Sequence, residues 1–276
     1  MKRTFLPLAF CMCVATVAFG QSVKRTIQLS KGQHFEQVAE TTMTMTQETM
    51  GQKVDIKSKS TNTNLIEIQD ASDNGYWVAS TLKRVQLNMN NMGQEMTFDS
   101  DNPTDMSGEL AAGFKEQLGK TVVMVVDKNG IVKEVKNSGT LDPELMNAVA
   151  EQVGKNLSFL TNIPQGGATA GASWTDSISM EGVKNVSTYT LASVHGNSAV
   201  VNMTSTGDMN RDIERQGMKM KMILKNSMSG NYTVDLVSGI ITSSNINTKS
   251  SGSMEMMGQS MPLQMETTVV TTLVKK

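Results

Sequence analysis

Beyond its first twenty residues the 276-residue chain has no cysteine, because Cys11 and Cys13 are its only two. Disulfides and thiolate-bound metals are thereby excluded from the remainder, which must rest on its core alone. Roughly 256 residues are enough for that. Histidine is nearly as scarce, with His34 and His195 standing alone. Two isolated imidazoles build neither a Ser-His-Asp arrangement nor a zinc site. No phosphate-cradling glycine motif follows a strand-like segment. The expectation is a protein with no catalytic residue, no metal site and no cofactor.

Long hydrophobic runs are also missing, except at the start. Lys2 and Arg3 precede an apolar run from Phe5 to Phe19, and Ala18-Phe19-Gly20 fits a small-x-small cleavage site. Residues 1–20 read as a signal peptide, so the mature chain would begin at Gln21 and be exported, to the periplasm or beyond. No later segment is long enough to span a bilayer as a helix. Lys2 and Arg3 leave with the signal, so 23 basic residues face 26 acidic ones, a net charge of −3. Without a basic stripe to replace counterions on phosphates, a nucleic-acid partner is not expected.

What the sequence does contain is period-two alternation rich in Val, Ile and Thr, broken by Gly, Asn and Asp, the mark of antiparallel strands joined by hairpins. Turns are expected at Asp73-Asn74-Gly75, Asp127-Lys128-Asn129-Gly130 and His195-Gly196-Asn197. Val122, Met124 and Val126 before the second turn, with Ile131 and Val135 after it, make the firmest hairpin. Two stretches read instead as helices. Leu110, Phe114 and Leu118 recur every four residues behind Ser107 as a cap. A longer helix starts at Asp142 and Pro143 and carries Leu145, Val149, Val153, Leu157 and Leu160 on one side. A loop, PQGGATAGAS at 164–173, then separates strands plus helices (21–160) from strands alone (166–276). The two parts read as one mainly β domain, with two β domains as the alternative.

The tripeptide Met-Gly-Gln occurs at 50–52, 92–94 and 257–259, each time between alternating segments. If Gly and Gln are the central residues of tight turns, with Gly first as type II′ geometry prefers, the strand register follows. The first hairpin then puts Met43, Met45, Val54 and Ile56 on one face. The second gives Val85, Leu87, Met89, Met96 and Phe98, and the third gives Met254, Met256, Met261, Leu263 and Met265. By the same alternation Met218, Met220, Met222 and Leu224 share a face, with Lys219 and Lys221 pointing to water.

The acidic stretch from Asp99 to Glu109 departs from a calcium loop, since Pro103 stands at an expected ligand position and no Gly follows at the sixth. It reads as a solvated turn before the first helix.

KGQHF at 31–35, TMTMTQETMGQ at 42–52, DKNGIVKEV at 127–135, PQGGATAGASWTDS at 164–177 and SGNYTVDLVSGIIT at 229–242 together give the chain a recognisable pattern. With these segments it resembles an uncharacterised family of exported proteins of Bacteroidota, a family of unknown function. The resemblance spans nearly all of the mature chain and implies a compartment but no chemistry. At the level of fold alone, the pattern is similar to periplasmic lipoprotein carriers.

About ten strands at ~4.8 Å make a sheet ~48 Å wide, whereas two helices of ~10 Å diameter cover only about 20 Å of it. A flat apolar face of that size would be a large sticky patch. The expected fold is therefore mainly β (α+β), a strongly curved antiparallel sheet or partly open barrel with two helices packed near its apolar face. The methionines, 23 in all, are the distinctive feature, because Met adapts to ligands of variable shape. The expected site is formed by Met43, Met45, Leu87, Met89, Met96, Phe98, Met218, Met220, Met222, Met254, Met256, Met261 and Met265. Its partner would be an apolar small molecule or lipid, or a hydrophobic segment of a partner protein. One alternative is a structural or interaction protein of the cell envelope with a solid Met-rich core. Another, less favoured, is a Cu(I)-binding protein, since thioethers select Cu(I) but these are spread over at least four strands.

Overall fold

The structure, a computed structural model, describes residues 22–49, 52–91, 93–136, 146, 149–180, 182–215, 218–256 and 258–276. The expected signal peptide and the start of the expected second helix lie outside the described residues. Fourteen strands are present: β1 Ser22–Val23, β2 His34–Thr49, β3 Gln52–Ser72, β4 Gly75–Asn91, β5 Gln94–Asp99, β6 Thr121–Val126 and β7 Val132–Lys136, followed by β8 Ala168–Thr169, β9 Ser173–Met180, β10 Val183–His195, β11 Ser198–Arg215, β12 Met218–Asp235, β13 Ile240–Met256 and β14 Gln259–Lys275. Twelve of them form one sheet in the order β7-β6-β4-β3-β2-β14-β13-β12-β11-β10-β9, with β5 beside β4; β1 and β8 pair separately. Every pairing is antiparallel, and β2 against β14 joins the two halves of the chain.

A short strap of chain shows how the sheet bends. Ile131, just before β7, bridges to Asn156, and Leu160 bridges to Ile240 at the start of β13. Four residues of extended chain reach about 14 Å. Along the sheet, β7 and β13 lie six strand steps apart, about 29 Å at ~4.8 Å per step. The strap is thus a chord across a rolled sheet, and the face it touches is the inner one. β7 and β9 remain unpaired with each other, so the roll does not close into a barrel.

The strap and the N-terminal segment cover only one end of the inner face. Leu157, Phe159 and Leu160 pack with Ile27 and Leu29 against Phe35, Ile66, Ile68, Val78, Val126 and Leu273. Tyr76 donates its hydroxyl to the Ile27 carbonyl at 2.7 Å, fastening the N-terminal segment to β4. A second cluster beside it contains Val23, Ile163, Leu191, Val201, Tyr232 and Val234.

In place of the two expected helices the described residues hold one short helix, and in the second stretch only Met146, Val149 and Ala150 are described as helical. In the first stretch two 3-10 turns lead into α1, Ala112–Lys115, and Ser107 makes no cap, donating instead to the Thr104 carbonyl. Gly108, Gly113 and Gly119 disfavour a longer helix, and the Gly119 amide donates to Leu82. The four-residue spacing still does its packing work, since Leu110, Phe114 and Leu118 all cover Val85 and Phe98. The second expected helix does not run to Leu160. Gly154 adopts φ +85°, and the edge strand β7 takes over the backbone there: Gly154 donates to Val132, and Val132 donates to Lys155. Leu157 and Leu160 are buried as expected, but on the strap, where the Leu160 amide donates to the Leu157 carbonyl in a turn.

Candidate ligand-binding face

Residues directly opposite in an antiparallel pair share a face, so the register reads out the inner surface row by row. One row runs Met222, Met254, Met261 across β12, β13 and β14; beside it, Met220 pairs with Met256. The next row is Met209, Leu224, Gly252, Leu263, Gln47 and Val54. Beyond it Ser250, Met265, Met45 and Ile56 follow one another, and then Thr248, Thr267, Met43, Ser58, Met89 and Met96. Leu87 and Phe98 form a pair one row further on. The expected site residues with described side chains thus lie on one face. For Met218 the backbone pairs with Arg215, and its side chain lies outside the described residues.

The turn assumption behind that expectation is off by one residue. Thr49 pairs with Gln52, Asn91 with Gln94 and Met256 with Gln259, so the two connecting residues are Met and Gly, not Gly and Gln. Gly93 and Gly258 carry φ of +85° and +78°, the left-handed region that a non-glycine residue adopts only with strain. Moving the turn by one shifts each partner by two, and a shift of two leaves every side chain on its expected face.

Not all of these residues are equally open. Phe98 is stacked on Phe114 at 4.9 Å and belongs to the cluster under α1, which Leu87 borders. Met261 and Leu263 are buried, and Gln47 donates its amide to the Met261 sulfur at 3.1 Å. Met43, Met45, Met89, Met96, Met220, Met222, Met254, Met256 and Met265 are half-buried. Sequence reasoning missed Met203, Met209, Met228 and Val183, which the register places on the same face. Their segments lack a Met-Gly-Gln turn to set the phase.

Charge is divided sharply between the two faces. The outward positions of β2, β3, β12, β13 and β14 carry Glu40, Lys57, Lys59, Lys221, Lys225, Lys249, Glu255 and Glu266 among others. The inward positions of β2, β3, β12 and β13 over the paired stretches are uncharged. On β11 the inward Arg211 reaches Glu151 at 2.9 Å, and on β9 the inward Asp176 lies opposite Ser187. An open groove of about 510 Å3 lies on the outer side, lined by Thr44, Thr46, Lys225, Lys249, Gln264 and Glu266. Lys249 pairs with Glu266 there at 3.6 Å.

Between the methionines and the packed end lies a belt of small uncharged residues, including Asn185, Ser187, Ser205, Asn226, Thr248 and Ser250. Asn185 occupies the space above Gly207, where a Cβ would sit 1.6 Å from its Oδ1. At the β9 edge Trp174 stacks on Tyr189 at 5.8 Å, and Tyr189 meets Tyr232 edge-on at 6.4 Å. The Tyr232 hydroxyl donates to Asn162 Oδ1, and burial pushes its pKa well above the usual phenol range. Among the described residues the buried Trp174 indole N–H has no partner. Burial lowers the pKa of Arg25, whose guanidinium ties Asn129 to Asn156 and whose Nε is unpartnered among the described residues.

The acidic loop is internally satisfied. Asp99 accepts from Arg84 at 2.6 Å, from Gln86 and from the Asp101 amide, and the Arg84 guanidinium holds its carboxyl far below the usual range. Asp105 accepts from the Asp99 amide at 2.8 Å and from Asn102. Among the described residues no cluster of His, Cys, Asp and Glu is arranged for a metal ion. His34 and His195 are both exposed.

Residues 73–158 and 151–241, together more than half of the chain, match a family of unknown function, DUF6263. The chain belongs to this family. No curated protein matches the sequence. Among solved structures, this DUF6263 chain is similar to lipovitellin, from a structure of lipid–protein interactions, at 14% identity and a TM-score of 0.55. That match covers 90% of this chain and 25% of the lipovitellin chain, so the chain spans about a quarter of its relative. The likeness is one of fold. An outer membrane channel from Pseudomonas putida F1 aligns at 9% identity over 90% of this chain and 97% of its own, with a TM-score of 0.24. DynF of Micromonospora chersina aligns at 7% over 96% and 92%, with a TM-score of 0.22. Among the described residues no helix is long and apolar enough to cross a membrane.

Proposed function

We propose that the chain is an exported, non-enzymatic protein that binds an apolar, lipid-like ligand on the inner face of its rolled sheet. The observation that carries this reading is the division of charge: the outer face bears the lysines and carboxylates, while the inward positions of β2, β3, β12 and β13 are uncharged. These uncharged strands of the rolled face, left half-covered, provide apolar contact area without desolvating ions. Methionines line its open end, and their unbranched, polarizable side chains adapt to acyl chains of different length and unsaturation. The fold shared with lipovitellin supports the same reading, because that structure is one of lipid–protein interactions.

The test is to purify the chain from its native host, extract it with organic solvent and identify co-purified lipids by mass spectrometry. Bound lipid in near-stoichiometric amount is expected from the wild type. Met220→Asp and Met256→Asp, each placing a carboxylate on the inner face, should release it while circular dichroism stays that of a folded β protein. A lipid-free wild type that instead forms oligomers or captures an envelope partner would favour an interaction protein and overturn this reading.

A further inference from the structure

The register gathers methionines that the sequence leaves dispersed. Met222, Met254 and Met261 stand in one row on three neighbouring strands, and Met220 with Met256 form the adjoining pair. Directly opposed residues hold their Cβ atoms about 4.5–5.5 Å apart. Side chains with three rotatable bonds can turn their sulfurs toward a common point across that distance. Met220, Met222, Met254 and Met256 are half-buried. Among the described residues, none of the five belongs to the three packed hydrophobic clusters.

We infer that this quintet is a binding site for a soft monovalent cation, Cu(I) or Ag(I), built from neutral thioethers. Thioether sulfur selects soft cations, whereas carboxylate, carbonyl and water oxygens suit hard ones. Among the described side chains the inward positions around the quintet are uncharged apart from Arg211, opposite Met222, and Glu151 neutralises that guanidinium at 2.9 Å. The Met261 sulfur accepts one hydrogen bond from Gln47, and a thioether has a second lone pair for a metal. The site excludes hard divalent ions for the same reason that it attracts soft ones.

The experiment uses the purified chain in chloride-free buffer with Ag(I) nitrate as the probe, following 13C-labelled methionine methyl groups by NMR. Binding is expected to saturate at one equivalent, with large shifts confined to Met220, Met222, Met254, Met256 and Met261. Met222→Leu and Met254→Leu keep the face apolar and the volume nearly unchanged, and each should weaken Ag(I) by at least about tenfold. Met43→Leu, on the same face outside the quintet, should leave Ag(I) affinity as it was. Shifts spread evenly over all methionines without saturation, or full affinity in both Leu variants, would overturn the inference. Wild-type chain that carries lipid but shows no saturating Ag(I) shift fails this inference alone, and lipid-free chain that binds Ag(I) fails only the lipid-binding reading, so the two failures give different results.

Discussion

Glu151 Oε1 lies 2.9 Å from an Nη of Arg211, joining the strap segment to an inward position of β11. Gly154, three residues further on, donates to Val132 at the opposite edge strand. The pair therefore ties the chain beside the β7 edge to β11 across the roll. Both side chains are about 40% exposed, so solvent screens the attraction and the stability at stake is about 0–1 kcal/mol. Glu151→Gln is expected to leave the melting temperature nearly unchanged. Hydrogen exchange should nevertheless quicken at residues 149–156, with the amides of β2 and β14 unaffected.

A carboxylate buried against the uncharged inward positions of β2, β3, β12 and β13 gives up hydration for no partner there. Decanoate should therefore bind more weakly than 1-decanoylglycerol at pH 8, by about tenfold or more. Displacement of Nile red from the purified chain measures both. Equal affinity would show that the missing inner-face charge does not govern ligand choice.

Two glycines give opposite expectations. A Cβ on Gly252 would stand 1.9 Å from the Ile223 carbonyl oxygen, a backbone atom of the adjacent strand. Gly252→Ala should cost more than about 2 kcal/mol, because the strands must part to admit it. Gly113 in α1 has nothing within 4 Å of its Cβ position. Gly113→Ala should stabilise by about 0.5–1 kcal/mol, by restricting the unfolded chain and favouring the helix. Urea denaturation of the two variants checks both signs.

Asp99 is held ionised by Arg84, Gln86 and the Asp101 amide. Its folded pKa is depressed, so its contribution is fully present above the ordinary carboxylate pKa and is lost as pH falls toward the depressed value. Asp99→Asn should melt below the wild type at pH 7, and the gap should narrow at pH 2–3. A gap independent of pH would assign the loss to packing instead of ionisation.

The strands, three of their turns and the sidedness of the Met-rich segments were legible in the sequence because period two survives any even slip in register. The Met-Gly turns were misplaced by one residue, yet Met45 still faces Ile56, and Met254 still faces Met261. Local alternation says nothing of which strands become neighbours. The pairing of β2 with β14, and hence the meeting of Met45 with Met265, depends on contacts more than two hundred residues apart. The helical period around Leu157 and Leu160 misled for a related reason. Those residues are buried, but Gly154 and the open edge of β7 offered the backbone a better set of partners than its own next turn.

The position of β14 also bears on how the chain acquires its structure. One half-sheet, β2 to β7, comes from the first part of the chain, and the other, β9 to β13, from the later part. Among the described residues β14 alone is hydrogen-bonded to both. Each half can pair locally, but the seam between them needs β14, which follows both halves in the chain. Until then β2 and β13 both present unsatisfied edges, a template for pairing with other chains. The long sequence separation across this seam makes its closure the slow event in folding.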